Sequence, residues 1–429
     1  TGVISYDGGE EISLEGSSGY STTSGNADTH NVLMHKNSDY LNMYLDTGYG
    51  LGKRELCDGS DGAFTVTYNA AKNGKAYFRL VSNTAVKKGD KAALKGSYTF
   101  YSSKPLDDEV YDRSVVNSGN AARIAAAMKK AQNGEPVTVG VIGGSITQGS
   151  GATSDANCYA SLVKKWWEET FPQSRLTFIN AGKGDTTSLM GVARAEEDLL
   201  CYNPDFVIAE FSVNDPLQSI YGFSYEGLVR KILNSSSKPG LLLLQTMNNQ
   251  GINCAEYHTP VGMNYNLPII SYKEALWLTG SDCMYQWGEL SNDTVHPNDF
   301  GHSIVARLIT HYLENIAENV NCFNDSNKEI AAAYNASNME NAVRYNHDNF
   351  TPEQKGIFED NDNTYQLGSG WTATGSGEAM TFTVNGAKQI YIVYYWDASG
   401  QGGKADISAN GKALGTMNGF LGRLEPLGG

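Results

Sequence analysis

The spacing of hydrophobic and polar residues divides the chain into three zones. Residues 1 to about 110 contain short alternating stretches such as AFTVTYNA and KAYFRLVS, separated by turn residues. This pattern is typical of antiparallel β structure in a sandwich or jelly roll. After Asn324 a similar pattern returns in AMTFTVNG, KQIYIVYYWDA and KADISANGKALGT, which predict further strands joined in part by Asn-Gly turns.

Between these zones, near-continuous apolar stretches alternate with amphipathic ones. The predicted strands are VTVGVIG, LTFINAG, DFVIAEFSV and GLLLLQTM, with LPIISY as a shorter candidate. The predicted helices lie in NAARIAAAMKKAQNG, YASLVKKWWEETF, SLMGVARAEEDLLCY, SYEGLVRKILNSS and FGHSIVARLITHYLENIAENV. Buried strands that alternate with helices predict a parallel sheet covered on both faces, hence a doubly wound α/β domain.

The three zones predict three segments in the chain. These are an N-terminal β-sandwich of the jelly-roll type over 1–112, an α/β domain over 118–322 and a C-terminal β segment over 330–429. A chain of 429 residues is long enough for two or three domains. The flanking segments can form two β domains, or one sandwich with the α/β domain inserted in its connection, and the pattern leaves both open.

Charge and composition narrow the kind of partner. The formal net charge of -15 argues against a nucleic-acid partner, because its phosphates would be repelled, and a neutral or sugar-like ligand fits better. The sequence contains no run of about 18 apolar residues, so we expect no membrane partner. The six cysteines are dispersed without a CxxC pair, a pattern that fits neither a disulfide scaffold nor a zinc site.

Polar residues follow the predicted strands at the sheet edge where open α/β folds bind ligands. Ser145 follows the first strand, Gly184 the second and Asn214 the third, while Asp293 and His296 precede the last helix. A serine hydroxyl is a poor nucleophile at neutral pH and needs a base, which His296 can supply. Asp293 can hold the other ring nitrogen and stabilise the imidazolium. The alternative for each residue taken singly is a turn or helix-capping role.

When a serine hydroxyl attacks a carbonyl carbon, the carbonyl oxygen becomes an oxyanion, and this oxyanion needs hydrogen-bond donors. The backbone N–H groups of Ser145 and Gly184 and the side-chain amide of Asn214 are the candidates. Losing one such donor typically lowers turnover by about 10²–10³.

The stretches GGSIT, GKGDTT, SVND and DTVHP, in this order, resemble the four sequence blocks of the SGNH (GDSL-type) hydrolases. The resemblance covers residues 137–320. It implies a flavodoxin-like, three-layer α/β/α domain that hydrolyses esters without a metal ion or organic cofactor. The sequence departs from the family pattern at Gly144, where an Asp is usual, and at Ser212, where a Gly is usual. The G-x-S-x-G elbow of the other large class of serine esterases is absent from the sequence.

An SGNH-type domain flanked by β segments resembles bacterial carbohydrate esterases, which implies removal of acetyl groups from a plant cell-wall polysaccharide such as xylan or mannan. We therefore expect a secreted or cell-surface protein whose partner is an acetylated polysaccharide or oligosaccharide. The alternatives are a lipase, thioesterase or arylesterase of the same superfamily, and a glycan-binding protein without catalysis. The loops after the third and fourth strands are expected to border the cleft, with side chains that can form its walls: Tyr221, Phe223, Tyr257 and Met263.

The stretch DNDNTY in the C-terminal segment has some residues of a calcium loop but lacks its glycine and terminal glutamate. No metal site is therefore predicted in the chain, although a β domain that binds a structural calcium stays open. The oligomeric state is also left open by the sequence.

Overall fold

The computed structural model describes residues 106, 108–277, 283–285, 287–323, 330–364, 368–394 and 402–419, together with the backbone of the strands within residues 2–102. The chain divides into two compact units, Thr1–Val343 and Arg344–Gly429. The predicted division into three segments at 112, 118, 322 and 330 stays a prediction.

Seven strands are described before the α/β part of the chain. They are β1 (Gly2–Ser5), β2 (Glu11–Ser17), β3 (His30–Lys36), β4 (Asp39–Asp46), β5 (Val66–Ala70), β6 (Lys75–Ser82) and β7 (Ala93–Ser102). One sheet has the order β1-β6-β4-β3 and is antiparallel throughout. A second has the order β2-β7-β5, in which β2 and β7 are antiparallel but β5 and β7 are parallel. The antiparallel prediction is therefore confirmed for every described pair except β5 with β7, and the jelly-roll arrangement stays a prediction.

Alternating helices and strands then build a central sheet. In chain order they are α1 (Asp108–Ser114), β8 (Val115–Asn117), α2 (Ala122–Gln132), β9 (Val137–Gly143), α3 (Ser145–Gln148), α4 (Tyr159–Thr170), β10 (Leu176–Gly182), α5 (Ser188–Asp198), β11 (Phe206–Glu210), α6 (Ser219–Leu233), β12 (Gly240–Gln245), α7 (Ala255–Asn264), β13 (Ile269–Ser271), α8 (Tyr272–Leu276), α9 (Trp287–Leu290) and α10 (Asp299–Glu318). Among the described residues, no helix combines the length and apolar character needed to cross a bilayer.

The central sheet has the strand order β10-β9-β11-β12-β13-β8. The first five strands are parallel and correspond to the five predicted ones, while β8 is a short antiparallel edge strand that the sequence pattern did not predict. Because β9 lies between β10 and β11, the chain reverses its direction of winding there. This is the switch point at which flavodoxin-like sheets bind their ligands.

The two faces of the sheet carry separate apolar cores, because successive side chains of a strand point to opposite faces. Val139 and Ile208 lie in a first core cluster that also contains residues of α2, α4 and α10. Ile142 and Val207 lie in a second core cluster with residues of α5 and α6. The arrangement is a three-layer α/β/α sandwich, as the sequence predicted.

The segment 330–343 packs on the second face of this sandwich. Met339 joins the second core cluster, and the backbone N–H groups of Tyr334 and Asn335 donate to the buried carboxylate of Glu226 at 2.6 and 2.7 Å. This segment therefore belongs to the first compact unit.

The described residues of the second unit, Arg344–Gly429, include two short antiparallel hairpins. The strands are β14 (Glu359–Thr364) with β15 (Gly368–Thr372), and β16 (Lys404–Ala409) with β17 (Lys412–Asn418). Asn410 and Gly411, at φ 51° and 75°, form the predicted Asn-Gly turn between β16 and β17. The first five residues of the stretch DNDNTY, 360–364, lie in β14.

The strand predicted in KQIYIVYYWDA is wrong over residues 388–394, the part that the structure describes. These residues form no ladder, and side chains such as Ile390 and Val393 are 58% and 51% exposed. Period-two alternation gives a segment the pattern of a strand, but a strand also needs a hydrogen-bonding neighbour. The described residues of this unit do not provide one. The strand predicted in AMTFTVNG is also wrong over its described residues, where only Thr381 makes an isolated bridge, with Gln354.

Replacing Trp167 with Ala should destabilise the protein strongly. Trp167 is 1% exposed and packs on Phe171 and Phe206, with ring centroids 5.1 and 5.9 Å away. Truncating a buried aromatic residue typically costs about 3–5 kcal/mol. Its neighbour Trp166 is only partly buried, so Trp166→Ala is the matched control. Urea unfolding followed by circular dichroism should give a larger fall in midpoint for Trp167→Ala, and equal falls would contradict this packing.

Candidate active site

The nucleophile candidate stands at the turn between β9 and α3. Ser145 is the first residue of α3 and is 7% exposed. A Cβ atom added at Gly144 would lie only 2.3 Å from Oδ1 of Asn214. Glycine is thus the residue that lets the Asn214 amide lie against the turn. The departure from the usual Asp therefore has a local structural reason.

Ser145, His296 and Asp293 form a continuous hydrogen-bonded chain. Nε2 of His296 lies 2.8 Å from Oγ of Ser145, and Nδ1 lies 2.7 Å from Oδ2 of Asp293. A proton on Nδ1 donates to the carboxylate and leaves Nε2 as the acceptor for the serine O–H. The sequence prediction that these three residues lie together agrees with this geometry.

Hydrogen bonds keep the carboxylate of Asp293 ionised. Partial burial raises the pKa of Asp293, but the N–H of Val295 and the ring and N–H of His296 all donate to the carboxylate, so the pKa is lowered overall. Trp287 Nε1 donates to the carbonyl of Asp293 at 2.6 Å, and Ser291 Oγ to that of His296 at 2.6 Å. These two bonds hold the loop that carries Asp293 and His296.

The loop after α3 packs directly against the His296 segment. Gly151 has φ +91°, and a Cβ atom there would lie 2.9 Å from Cβ of His296. One turn into α10, the buried ring of His302 accepts the N–H of Tyr159 at 3.2 Å and donates to the carbonyl of Ser150 at 3.1 Å. Burial lowers the pKa of His302 to about 4, so the ring is neutral. His302 is therefore a satisfied core residue that joins α10 to this loop.

The three candidate donors to the oxyanion differ in the hydrogen bonds that they already make. The N–H of Ser145 opens α3 and so has no acceptor within that helix. The Asn214 side chain lies on Gly144, and its buried Oδ1 has no hydrogen-bond partner among the described residues. The N–H of Gly184 already donates to Oε1 of Gln148, at 2.8 Å. Sequence reasoning did not identify Gln148.

A buried, hydrogen-bonded pair of side chains holds the loop of Asn214. The carboxylate of Asp215 accepts the N–H of Ser188 at 2.8 Å and lies 2.9 Å from Nε2 of His258. Both Asp215 and His258 are buried, and the His258 ring stacks on Tyr225 at 3.6 Å. These contacts fasten the loop after β11 to the start of α5 and to α7.

Arg194 joins the carboxyl ends of two neighbouring strands. Its guanidinium is fully buried and donates to the carbonyls of Gly143 at 2.8 Å and Ala181 at 2.6 Å, while Asp198 pairs with it at 2.9 Å. Nothing in the helical pattern of α5 distinguishes this arginine from a surface residue. The contact depends on where the helix lies on the sheet.

Glu210 is a fully buried carboxyl behind α3. It accepts a hydrogen bond from Thr246 Oγ1 at 2.7 Å and a long one from Thr147 Oγ1 at 3.4 Å. Burial raises its pKa to about 7. Thr147 also contacts the hydroxyl of Tyr159 at 2.8 Å, so this carboxyl belongs to a polar network under the nucleophile's helix.

The four predicted wall residues occupy different positions. Tyr221 is half-buried near Asp215, and Tyr257 packs across Gly222 of α6. Phe223 packs against the second core cluster, and Met263 is 47% exposed on α7.

A possible set of metal ligands lies in the second unit. Nε2 of His347 is 2.8 Å from Oδ1 of Asp362, and Nδ1 is 3.3 Å from Oδ1 of Asp348. One ligand atom from each residue could reach a common divalent cation. The two carboxylates are 81% and 60% exposed, and such clusters of exposed acidic groups are common without a metal ion.

The fold is that of SGNH-type α/β hydrolases. Residues 141–304 match the GDSL-like lipase/acylhydrolase family. Two crystal structures of a two-domain esterase active on acetylated mannans, one with mannopentaose, are 36% identical to this chain. The similarity covers 62% of this chain and 73% of that one, with TM-scores of 0.56 and 0.57. No curated protein matches. The chain belongs to the GDSL-like lipase/acylhydrolase family and is a carboxylic ester hydrolase.

Glu210→Gln should change how stability depends on pH. The folded state holds the Glu210 proton up to about pH 7, whereas an unfolded glutamate loses it near pH 4.5. The wild type therefore loses stability as pH rises from 4.5 to 7, by about 3 kcal/mol at about 1.4 kcal/mol per pKa unit. Gln carries no proton to lose. Thermal unfolding at pH 4.5 and pH 7.5 should show the variant gaining on the wild type at the higher pH.

The exposed Glu256 on α7 provides the control for this measurement. Glu256→Gln should track the wild type across the same pH range. A difference between Glu210→Gln and wild type that does not change with pH would contradict the protonated carboxyl.

Gly144→Ala should act through Asn214. The added methyl displaces the amide, so kcat/KM should fall by about 10²–10³ if that amide is an oxyanion donor. Asn214→Ala should show a similar loss, and the double variant no more than Asn214→Ala alone, because one contact is removed twice. Gly375→Ala, where a Cβ meets no atom within 4 Å, is the control. Additive losses in hydrolysis of 4-nitrophenyl acetate would contradict the coupling.

Proposed function

We propose that the protein removes acetyl groups from a carbohydrate, with Ser145 as nucleophile, His296 as general base and Asp293 as the residue that orients the base. The observation that carries this proposal is the 2.8 Å contact between Nε2 of His296 and Oγ of Ser145, on a chain of ester-hydrolase family. The neighbouring 2.7 Å contact to Asp293 supplies the third partner.

The chemistry proceeds in two acyl-transfer steps. His296 takes the Ser145 proton as Oγ attacks the acetyl carbonyl carbon, and the carbonyl oxygen becomes an oxyanion. When this intermediate collapses, the bond to the sugar oxygen breaks and His296 returns the proton to that oxygen. Water, deprotonated by His296, then attacks the acetyl-serine. Acetate leaves, and the proton returns to Oγ of Ser145.

Asp293 is suited to support the charged state of the base. Its lowered pKa keeps it anionic, and it faces Nδ1 of His296 when the ring becomes an imidazolium. The oxyanion is proposed to be bound by the N–H of Ser145, the amide of Asn214 and the N–H of Gly184, with the last released from Gln148.

The carbohydrate substrate is inferred from the similar esterase. That protein is active on acetylated mannans and is 36% identical over 62% of this chain. We therefore favour acetylated mannan over xylan as the polysaccharide, and a location outside the cell, where such polymers occur. The acidic chain, with a net charge of -15, suits an uncharged glycan better than an anionic one.

The four wall candidates are proposed to contribute unequally to substrate binding. Tyr221 lies near Asp215 in the loop of Asn214, and Tyr257 of α7 packs on Gly222, the next residue of α6, which favours a role for both beside the acyl or sugar group. Phe223 packs against the second core cluster and Met263 is exposed on α7, so a role in substrate binding is less favoured for these two.

Acetate release from acetylated mannan tests the proposal. Ser145→Ala should lower the rate by at least about 10³-fold, because removing the nucleophile removes the covalent route. The exposed Ser236 provides the matched control, since Ser236→Ala leaves the site untouched. Equal rates for wild type and Ser145→Ala would contradict the serine mechanism, and activity on xylan but not mannan would correct the substrate.

A lipase is expected to prefer a longer acyl group than a carbohydrate acetylesterase does. A carbohydrate acetylesterase should prefer 4-nitrophenyl acetate to 4-nitrophenyl octanoate in kcat/KM. A preference for octanoate would favour a lipase.

A further inference from the structure

The side chain of Gln148 occupies a donor that the sequence assigns to the oxyanion. Its Oε1 accepts the backbone N–H of Gly184 at 2.8 Å. Gln148 is the last residue of α3 and follows Ser145 by three positions, so the two side chains are neighbours on the same side of the helical turn. The bond is thus made on the side of α3 that carries the proposed nucleophile.

Other bonds hold the loop of Gly184 in place. The N–H of Lys183 donates to the carbonyl of Gly143 at 3.0 Å, and Asn180 Nδ2 donates to the carbonyl of Thr147 at 2.9 Å. These contacts link the end of β10 to β9 and to α3 directly. The loop is therefore anchored by bonds in which the Gln148 side chain takes no part.

The burial of the two partners differs. Gly184 is buried, whereas Gln148 is exposed. A buried N–H without an acceptor is strongly disfavoured, so the free protein gains from an acceptor at this position. An exposed glutamine side chain can rotate into water when a better acceptor arrives. The bond is well placed to satisfy the N–H without blocking it permanently.

We infer that Gln148 is a displaceable acceptor, whose carboxamide oxygen holds the Gly184 N–H in the resting enzyme and leaves it when the ester carbonyl oxygen enters. This inference rests on the proposed function, because it needs an acyl carbonyl at Ser145. No covalent bond of Gln148 changes; one acceptor replaces another on the same N–H. The substrate carbonyl and the oxyanion then compete with Gln148 for the Gly184 N–H, so this side chain lowers the rate of the reaction.

Two substitutions at Gln148 test the competition with opposite expected signs. Gln148→Ala removes the competitor, so kcat/KM for 4-nitrophenyl acetate should rise by about two- to tenfold, the range for one modest hydrogen bond. Gln148→Glu makes a charge-assisted bond to the same N–H and places a negative charge beside the oxyanion. Its kcat/KM should fall by at least about tenfold.

A second readout isolates the tetrahedral state. Methaneboronic acid adds to a serine hydroxyl and forms a tetrahedral, anionic boronate without needing turnover. Its inhibition constant should decrease in Gln148→Ala and increase in Gln148→Glu, in the same order as kcat/KM. The controls are Gln173→Ala and Gln173→Glu, made at an exposed glutamine bonded to the carbonyl of Gln132, before β10.

The outcomes separate this inference from the proposed function. Equal rates for wild type and Ser145→Ala would remove both. If activity requires Ser145 but falls in Gln148→Ala and recovers in Gln148→Glu, the inferred competition is wrong and Gln148 only positions the loop. A Ser145-dependent rate unchanged in both Gln148 variants would also overturn it.

Discussion

The contact between the Ser145 hydroxyl and the His296 ring joins two positions 151 residues apart, and the rest of the site depends on it. Neither short α3 nor the loop before α10 can hold such a contact alone. The loop after α3 lies against the backbone of His296 because Gly151 has no side chain. Asp299, at the start of α10, accepts the N–H and the hydroxyl of Thr153 at 2.7 and 2.6 Å. The distance between the Ser145 hydroxyl and the His296 ring is thus set by contacts between the loop after α3 and residues 296–299.

Buried polar groups beneath the site follow from the parallel sheet. The carboxyl ends of β9 and β10 present carbonyl oxygens in a region closed to water, and a buried carbonyl needs a donor. Arg194 supplies donors to both ends, and its own charge is met by Asp198. Glu210, at the end of the neighbouring β11, has no such partner charge, and burial raises its pKa to about 7. One edge of the sheet therefore contains an ion pair and a carboxyl whose charged form is disfavoured by burial.

The sequence predicted the features that are local or chemically rare. Strands β9 to β12 could be predicted because apolar residues dominate stretches of five to seven residues, and β13 because it lies in the shorter stretch LPIISY. The candidate site could be proposed because Ser145, Gly184 and Asn214 follow three of these strands, while Asp293 and His296 precede the last helix. The three-residue β8 is too short to show a period. Gln148, Arg194 and Asp215 could not be assigned, because their partners are far away in the chain or in the backbone. The strand prediction for residues 388–394 was wrong for the converse reason. The alternation of apolar and polar residues is a local pattern, but a strand needs a neighbouring strand to pair with.

The two departures from the family pattern act on the same loop. Gly144 removes the Cβ atom that would meet the Asn214 amide. Ser212, two residues before Asn214, is fully buried and uses its hydroxyl to accept the N–H of Thr246 at 2.7 Å and to donate to the Thr246 carbonyl at 3.1 Å. A glycine at 212 would leave both groups of Thr246 without these partners. The loop is therefore tied to the end of β12 while its amide is brought against β9. The two changes together fix where Asn214 lies relative to the Ser145 hydroxyl.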